Sequence, residues 1–238
     1  MVKLVLFDID GTLVHTGGAG VKAFAKTFAT EFGLTQGMEH MRFAGGTDIG
    51  LVRKFFHLNG VAPDAAHFEQ FFASYVFWLD HILAHSETAT CPGVWELIRG
   101  LQSLPDAPTL GLLTGNIQLG AEIKLRHFDL WSEFVIGAFA DDHEARDQIA
   151  RAAQWRGSNL LGRPLRGEEI IVIGDTPLDI KCGRAIGAKV LAVATGGATR
   201  SELQLHAPDW LVNDLRELTA AEICRPSAGT PPPLQFEP

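Results

Sequence analysis

Six short stretches of this 238-residue chain are apolar almost without interruption, at residues 3–7, 109–113, 134–136, 170–173, 190–194 and 210–212. A strand with one wet face alternates apolar and polar residues, whereas a strand apolar throughout must be covered on both faces. Helical patterns separate most of these runs. Strands alternating with helices predict an α/β fold: a Rossmann-like, three-layer core around a mainly parallel sheet. A chain of this length holds one large domain, or a core domain with a smaller insertion.

The alternation breaks between about residues 14 and 90, where no convincing strand occurs and helical periodicity takes over. Val21, Phe24, Phe28 and Phe32 form one stripe, and Leu51, Val52, Phe55 and Phe56 another. Phe68, Phe71, Phe72, Tyr75, Val76, Leu79, Ile82 and Leu83 hold a 3.6-residue period. Residues 15–90 therefore read as an inserted helical subdomain whose aromatics pack its own core. Residues 1–14 and 91–224 form the remaining core, and the Pro-rich residues 225–238 read as an irregular tail.

Bulk properties narrow the function. The chain is 46% hydrophobic and 20% charged, as expected of an ordinary globular protein. No run approaches the roughly 20 apolar residues that cross a bilayer, so no membrane role is expected. A net charge of −8 argues against nucleic-acid binding. It leaves room for a small phosphorylated substrate, because a divalent cation and a few Lys or Arg residues can invert the sign of one pocket. Cys91, Cys182 and Cys224 are odd in number and form no C-x-x-C pair. The first residues carry no signal-peptide pattern, and a reducing cytoplasm is expected. The oligomeric state is not legible.

The residues with chemical potential follow apolar runs. Asp8-Ile9-Asp10-Gly11-Thr12 places two carboxylates two positions apart at the end of the first run, on one side of an extended chain. Such a pair repels itself unless a cation or shared proton intervenes. Thr114-Gly115-Asn116 ends the second run with a hydroxyl, a glycine and an amide, a small oxyanion cradle. Ligands in open α/β sheets collect at the carboxyl ends of strands. Gly174-Asp175-Thr176-Pro177-Leu178-Asp179 ends the fourth run, with Pro177 suited to a first helical turn and Asp179 one turn beyond Asp175. His81 and His85 share a helix face at i, i+4 but lack a third ligand nearby in sequence, and read as surface or subdomain-packing residues.

Taken jointly, these motifs resemble the haloacid dehalogenase superfamily of phosphotransferases over about residues 3–215, and the helical insertion resembles the cap of its phosphoglycolate phosphatase-like branch. The resemblance implies a Mg²⁺-dependent phosphatase with Asp8 as nucleophile and Asp10 as general acid/base. Thr114 would bind the phosphoryl group, with Gly115 and Asn116 beside the substrate. Mg²⁺ would sit on Asp8, the Asp10 backbone carbonyl and Asp175, supported by Asp179. The superfamily also needs a Lys or Arg to offset charge. No Lys-Pro pair follows the third run, so Arg146 is the first candidate by position and Lys124 the alternative. A phosphomutase or phosphotransferase is the runner-up, and a non-catalytic phospho-aspartate switch is the reading from another class. Gly45-Gly46-Thr47-Asp48 is a candidate substrate-facing loop, and Gly17, Gly18 and Gly20 are candidate hinges.

Overall fold

The computed structural model describes residues 1–225; the expected tail lies, but for Arg225, outside the described residues. Along the chain run β1 (Leu4–Phe7), β2 (Val14–His15), α1 (Ala19–Phe32), α2 (Asp48–Leu58), α3 (Ala65–Leu83) and β3 (Ala89–Thr90). Then come α4 (Val94–Gln102), β4 (Thr109–Leu113), α5 (Gln118–His127), β5 (Ile136–Ala138), α6 (Arg146–Leu160) and β6 (Ile170–Gly174). The described chain closes with α7 (Pro177–Ala185), β7 (Lys189–Val193), α8 (Arg200–Gln204), β8 (Trp210–Val212) and α9 (Ala220–Cys224).

Six strands form one parallel sheet in the order β5-β4-β1-β6-β7-β8. β1 is central, with Phe7 in register with Leu112 of β4 and Ile173 of β6. Its side chains divide by parity. Val5 and Phe7 join Ile98 and Leu101 of α4 and Leu125 of α5 on one face. Leu4 and Leu6 join Ile149 and Ala153 of α6 and Ile180 of α7 on the other. This double cover is why β1 and β6 tolerate no polar position before their ends.

The fifth strand is displaced from its expected position. Residues 134–136 are the longest apolar part, but Val135 is largely exposed and pairing begins at Ile136, opposite Gly111. Hydrophobicity marks this edge strand less well than the central ones, because its outer side has no neighbour. The interval from 14 to 90 also carries strand at its two ends. β2 and β3 pair antiparallel, Val14 with Thr90 and His15 with Ala89, so that the helical segment leaves and returns through a two-residue ribbon too short to register as a pattern.

Within that segment α1, α2 and α3 share a separate aromatic core. Phe24 meets Tyr75 at 4.8 Å and 72°, and Phe28 meets Phe56 at 5.0 Å and 80°. These are the edge-to-face arrangements that ring quadrupoles favour. Phe71, Tyr75, Leu79 and Leu83 are buried along α3 as the periodicity predicts, whereas Val21 of the α1 stripe is 40% exposed. Ile117, from the β4–α5 connection, is buried in the same cluster and joins it to the sheet domain.

Candidate active site

The carboxyl ends of β4, β1, β6 and β7 open onto one cavity of about 500 Å³, roofed by α1, the 43–48 loop and α3. Asp8 follows β1 directly. Its N–H donates to Ile173 O at 2.9 Å, and its side chain is buried. The chain then doubles back at Gly11, whose φ of +80° favours glycine and whose lack of a side chain leaves room for Asp175. A Cβ there would meet Asp175 Oδ2 at 2.6 Å. Thr12 Oγ1 donates to Asp175 Oδ1 at 3.4 Å, and Gly197 N–H, after β7, donates to Oδ2.

Asp8, Asp175 and Asp179 bring carboxylate oxygens within 4.8 Å of one another. Asp179 is held from both sides: Thr176 donates to its Oδ2 through N (3.0 Å) and Oγ1 (2.6 Å), and Arg146 Nη2 pairs with its Oδ1. Gly174 makes this possible, since a Cβ there would lie 2.3 Å from the Asp179 Cβ. Arg146 opens α6, lies 3.5 Å from Asp8 Oδ1 through Nη2, and donates from Nη1 to Gly45 O at 3.2 Å. Its Nε is buried with no hydrogen-bond partner among the described residues.

A second charged group sits beside the first. Lys124 of α5, almost wholly buried, donates to Asp10 Oδ2 and to Asn116 Oδ1, each at 2.7 Å. Asn116 Nδ2 donates to the same Asp10 oxygen (2.9 Å) and to Thr114 Oγ1 (2.8 Å). The amide is thus oriented by its neighbours, oxygen to the ammonium and nitrogen to the carboxylate. Because Thr114 Oγ1 accepts from Asn116, its own hydrogen remains available to donate.

Electrostatics follow from burial. Desolvation, with Asp179, Asp175 and Asp10 adding to it, holds the Asp8 carboxyl well above the usual range, and Arg146 only partly offsets this. Asp175 is raised to about 7 by burial and then by Asp179. Burial alone would lower Arg146, but Asp179 and Asp8 outweigh it and keep the guanidinium charged. A cluster of hard oxygen donors with excess negative charge has the donor chemistry of a Mg²⁺ site, and the residues fit that ion.

The expected site residues thus lie together. Asp8, Asp10, Thr114, Gly115, Asn116, Lys124, Arg146 and Asp175 line the cavity, while Asp179 stands behind them at 1% exposure. Arg146 and Lys124, read as alternatives, both enter the site, one on Asp8 and the other on Asp10. Of the candidate loop, Gly45 and Gly46 face the cavity with Asp48, which is already the first residue of α2. Sequence reasoning missed Thr195-Gly196-Gly197, although a strand end followed by two glycines was a usable signal. It also read Tyr75 as core only; the ring is buried, but the residue lines the cavity. His81 and His85 do not line this cavity; both are exposed, His81 in the last turn of α3 and His85 in the turn beyond it, with His85 Nδ1 against the His81 carbonyl.

Comparison with known proteins adds the lineage. A sequence model described as haloacid dehalogenase-like hydrolase matches residues 5–193. A phosphoglycolate phosphatase of Pseudomonas savastanoi pv. phaseolicola is 27% identical, covering 96% of this chain and 85% of that protein. The pyrophosphatase PpaX of Halalkalibacterium halodurans is 28% identical, covering 91% and 95%. Among solved structures, CbbY from Rhodobacter sphaeroides in complex with phosphate superposes with a TM-score of 0.74 at 21% identity, over 92% of this chain and 96% of that one. At that identity the likeness is one of fold.

Proposed function

This chain belongs to the haloacid dehalogenase-like hydrolase family, and we propose that it is a phosphatase that hydrolyses a small phosphorylated metabolite through an aspartyl-phosphate on Asp8. The observation that carries this reading is the placement of Asp8 in the cavity at the strand ends, 3.5 Å from a guanidinium and flanked by Asp10, whose Oδ2 is pinned by Lys124 and Asn116.

An Asp8 carboxylate oxygen attacks phosphorus, the bond from phosphorus to the leaving oxygen breaks, and Asp10 gives that oxygen a proton. Asp10 Oδ1, which has no partner among the described residues, is the oxygen available for this transfer. Water then attacks phosphorus with Asp10 taking its proton, which frees inorganic phosphate and Asp8. Thr114 and Arg146 bind phosphoryl oxygens. Asp8, the Asp10 backbone carbonyl and Asp175 would hold Mg²⁺, with Asp179 in support; the ion supplies charge compensation for the phosphoryl group. Phosphoryl transfer asks mainly for such positioning and charge balance.

We read residues 1–14 and 91–224 as the catalytic core and 15–90 as a cap that excludes water and selects the substrate. The separate aromatic core of α1–α3 and the β2–β3 ribbon support this division. Three buried, unpaired cysteines support a reducing, cytoplasmic setting, and no helix among the described residues is long and apolar enough to cross a membrane.

The test is release of inorganic phosphate from p-nitrophenyl phosphate with Mg²⁺, compared with Asp8→Asn. Loss in the variant is expected. Retention of most of the turnover would remove Asp8 as nucleophile, and transfer to a sugar hydroxyl without phosphate release would favour a mutase.

A further inference from the structure

Beyond the phosphoryl subsite, the wall of the cavity has a chemistry of its own. Val21, Phe24, Phe43 and Leu51 give it apolar surface. Two polar groups interrupt that surface. Tyr75 is buried to 1% exposure, lines the cavity, and its hydroxyl has no hydrogen-bond partner among the described residues. Asp48 is also buried and lines the cavity. Its Oδ2 accepts from Ile117 N at 2.9 Å, while Oδ1 has no partner among the described residues. Neither oxygen is among the buried side-chain atoms that lack a partner, so both stay open to the cavity and to a ligand that hydrogen-bonds with them.

Charge decides what that ligand is. Above about pH 7, where Asp48 is ionised, and with Asp10 holding the proton it donates, Asp8, Asp48, Asp175 and the Asp179 behind them stand against Lys124 and Arg146. Both cations are already engaged, Lys124 on Asp10 and Asn116, Arg146 on Asp8, Asp179 and Gly45 O. One divalent ion would bring this lining to near neutrality, and the phosphoryl dianion then takes it negative again. His15 is the remaining lining base, and it is exposed on β2 at the mouth. A carboxylate or second phosphate on the leaving group would therefore enter the cavity beside Asp48 with no counter-charge of its own.

We propose that the leaving group is an alcohol bearing hydroxyl or amino donors and no second anion, bound through Asp48 and Tyr75. Asp48 accepts from such a donor, and Tyr75 either donates or accepts. This selectivity combines attraction with repulsion: a polyol or amino-alcohol ester satisfies both Asp48 and Tyr75, whereas an anionic ester can be met by the Tyr75 hydroxyl alone and adds charge beside Asp48. It differs from the substrate for which the Pseudomonas relative is named, whose leaving group carries a carboxylate.

The inference rests on the phosphatase reading, and one experiment separates the two. With Mg²⁺ present, kcat/KM is measured for glycerol phosphate, phosphoethanolamine, 2-phosphoglycolate, pyrophosphate and p-nitrophenyl phosphate, in the parent and in Tyr75→Phe. The donor-bearing esters should exceed phosphoglycolate and pyrophosphate by about tenfold or more. Tyr75→Phe, which removes one oxygen from an aromatic cluster that otherwise keeps its packing, should narrow that preference mainly through KM. A merely structural tyrosine would instead lower all five substrates alike, and that result removes Tyr75 from the proposal. Phosphoglycolate or pyrophosphate turned over as well as the neutral esters overturns the proposed class and leaves the phosphatase intact. Absence of phosphate release from every ester overturns both.

Discussion

Nη2 of Arg146 stands 3.5 Å from Oδ1 of Asp8 while also pairing with Asp179, so one guanidinium ties the end of β1 to the first turn of α7. Lys124 has no such dual role, since its carboxylate partner, Asp10, is half exposed to the cavity. Arg146→Met should leave two buried carboxylates facing each other and destabilise the protein by about 3–5 kcal/mol. Lys124→Met should cost less stability and act mainly on kcat, through a misplaced Asp10. Denaturant unfolding of both variants beside their turnover distinguishes these outcomes.

Divalent metal should stabilise as well as activate. Mg²⁺ at a hundredfold excess over its Kd adds about 2.7 kcal/mol if it binds only the folded chain. The increase should appear as a higher melting temperature in the parent, vanish in Asp175→Asn, and reverse with EDTA, which should also abolish turnover.

Asp48 makes stability depend on pH. Burial raises its carboxyl to about 7, against the opposing pull of Lys124 and the Ile117 N–H. Between an unfolded value near 3.8 and about 7 the native state keeps a proton that the unfolded chain has lost, so this group's contribution falls as pH rises and is fully lost above about 7. Asp48→Asn has no proton to lose. Its stability relative to the parent should therefore rise between pH 4 and pH 8, by up to about 4 kcal/mol, in parallel melts across that range.

Gly115 is where the 43–48 loop touches the sheet domain most closely. Its carbonyl accepts from Asp48 N at 2.7 Å, and a Cβ on it would lie 2.1 Å from the Gly46 carbonyl oxygen. Gly115→Ala should push the loop away at a cost of about 1–3 kcal/mol, with turnover falling further than stability. Proteolysis at residues 43–48, faster in the variant, would report the opening.

The sheet and the residues at its strand ends were legible because they answer to short-range rules. β1 and β6 are apolar throughout and β4 is apolar after Thr109, so the polar groups that follow these runs stand out. Tyr75 was not legible as a cavity residue, since its periodicity is that of a core position and only its last atom differs in duty. The pairing of Arg146 with Asp8 and Lys124 with Asp10 joins residues more than a hundred positions apart, and no local pattern encodes which cation meets which carboxylate. β2 and β3 escaped notice because two residues cannot display a period.

The sheet order has a consequence for synthesis. β1 emerges first, yet its neighbours begin at Thr109 and Ile170, with the whole of α1–α3 made in between. The nascent chain must therefore carry β1, wholly apolar, unpaired until β4 is made at Thr109–Leu113, and with one edge still open until β6 follows at Ile170–Gly174. Contacts so distant in sequence slow folding and lengthen the time in which an open strand edge can meet another molecule. Ribosome-bound intermediates halted before residue 170 should accordingly hold an ordered helical segment beside an N-terminus that chaperones still recognise.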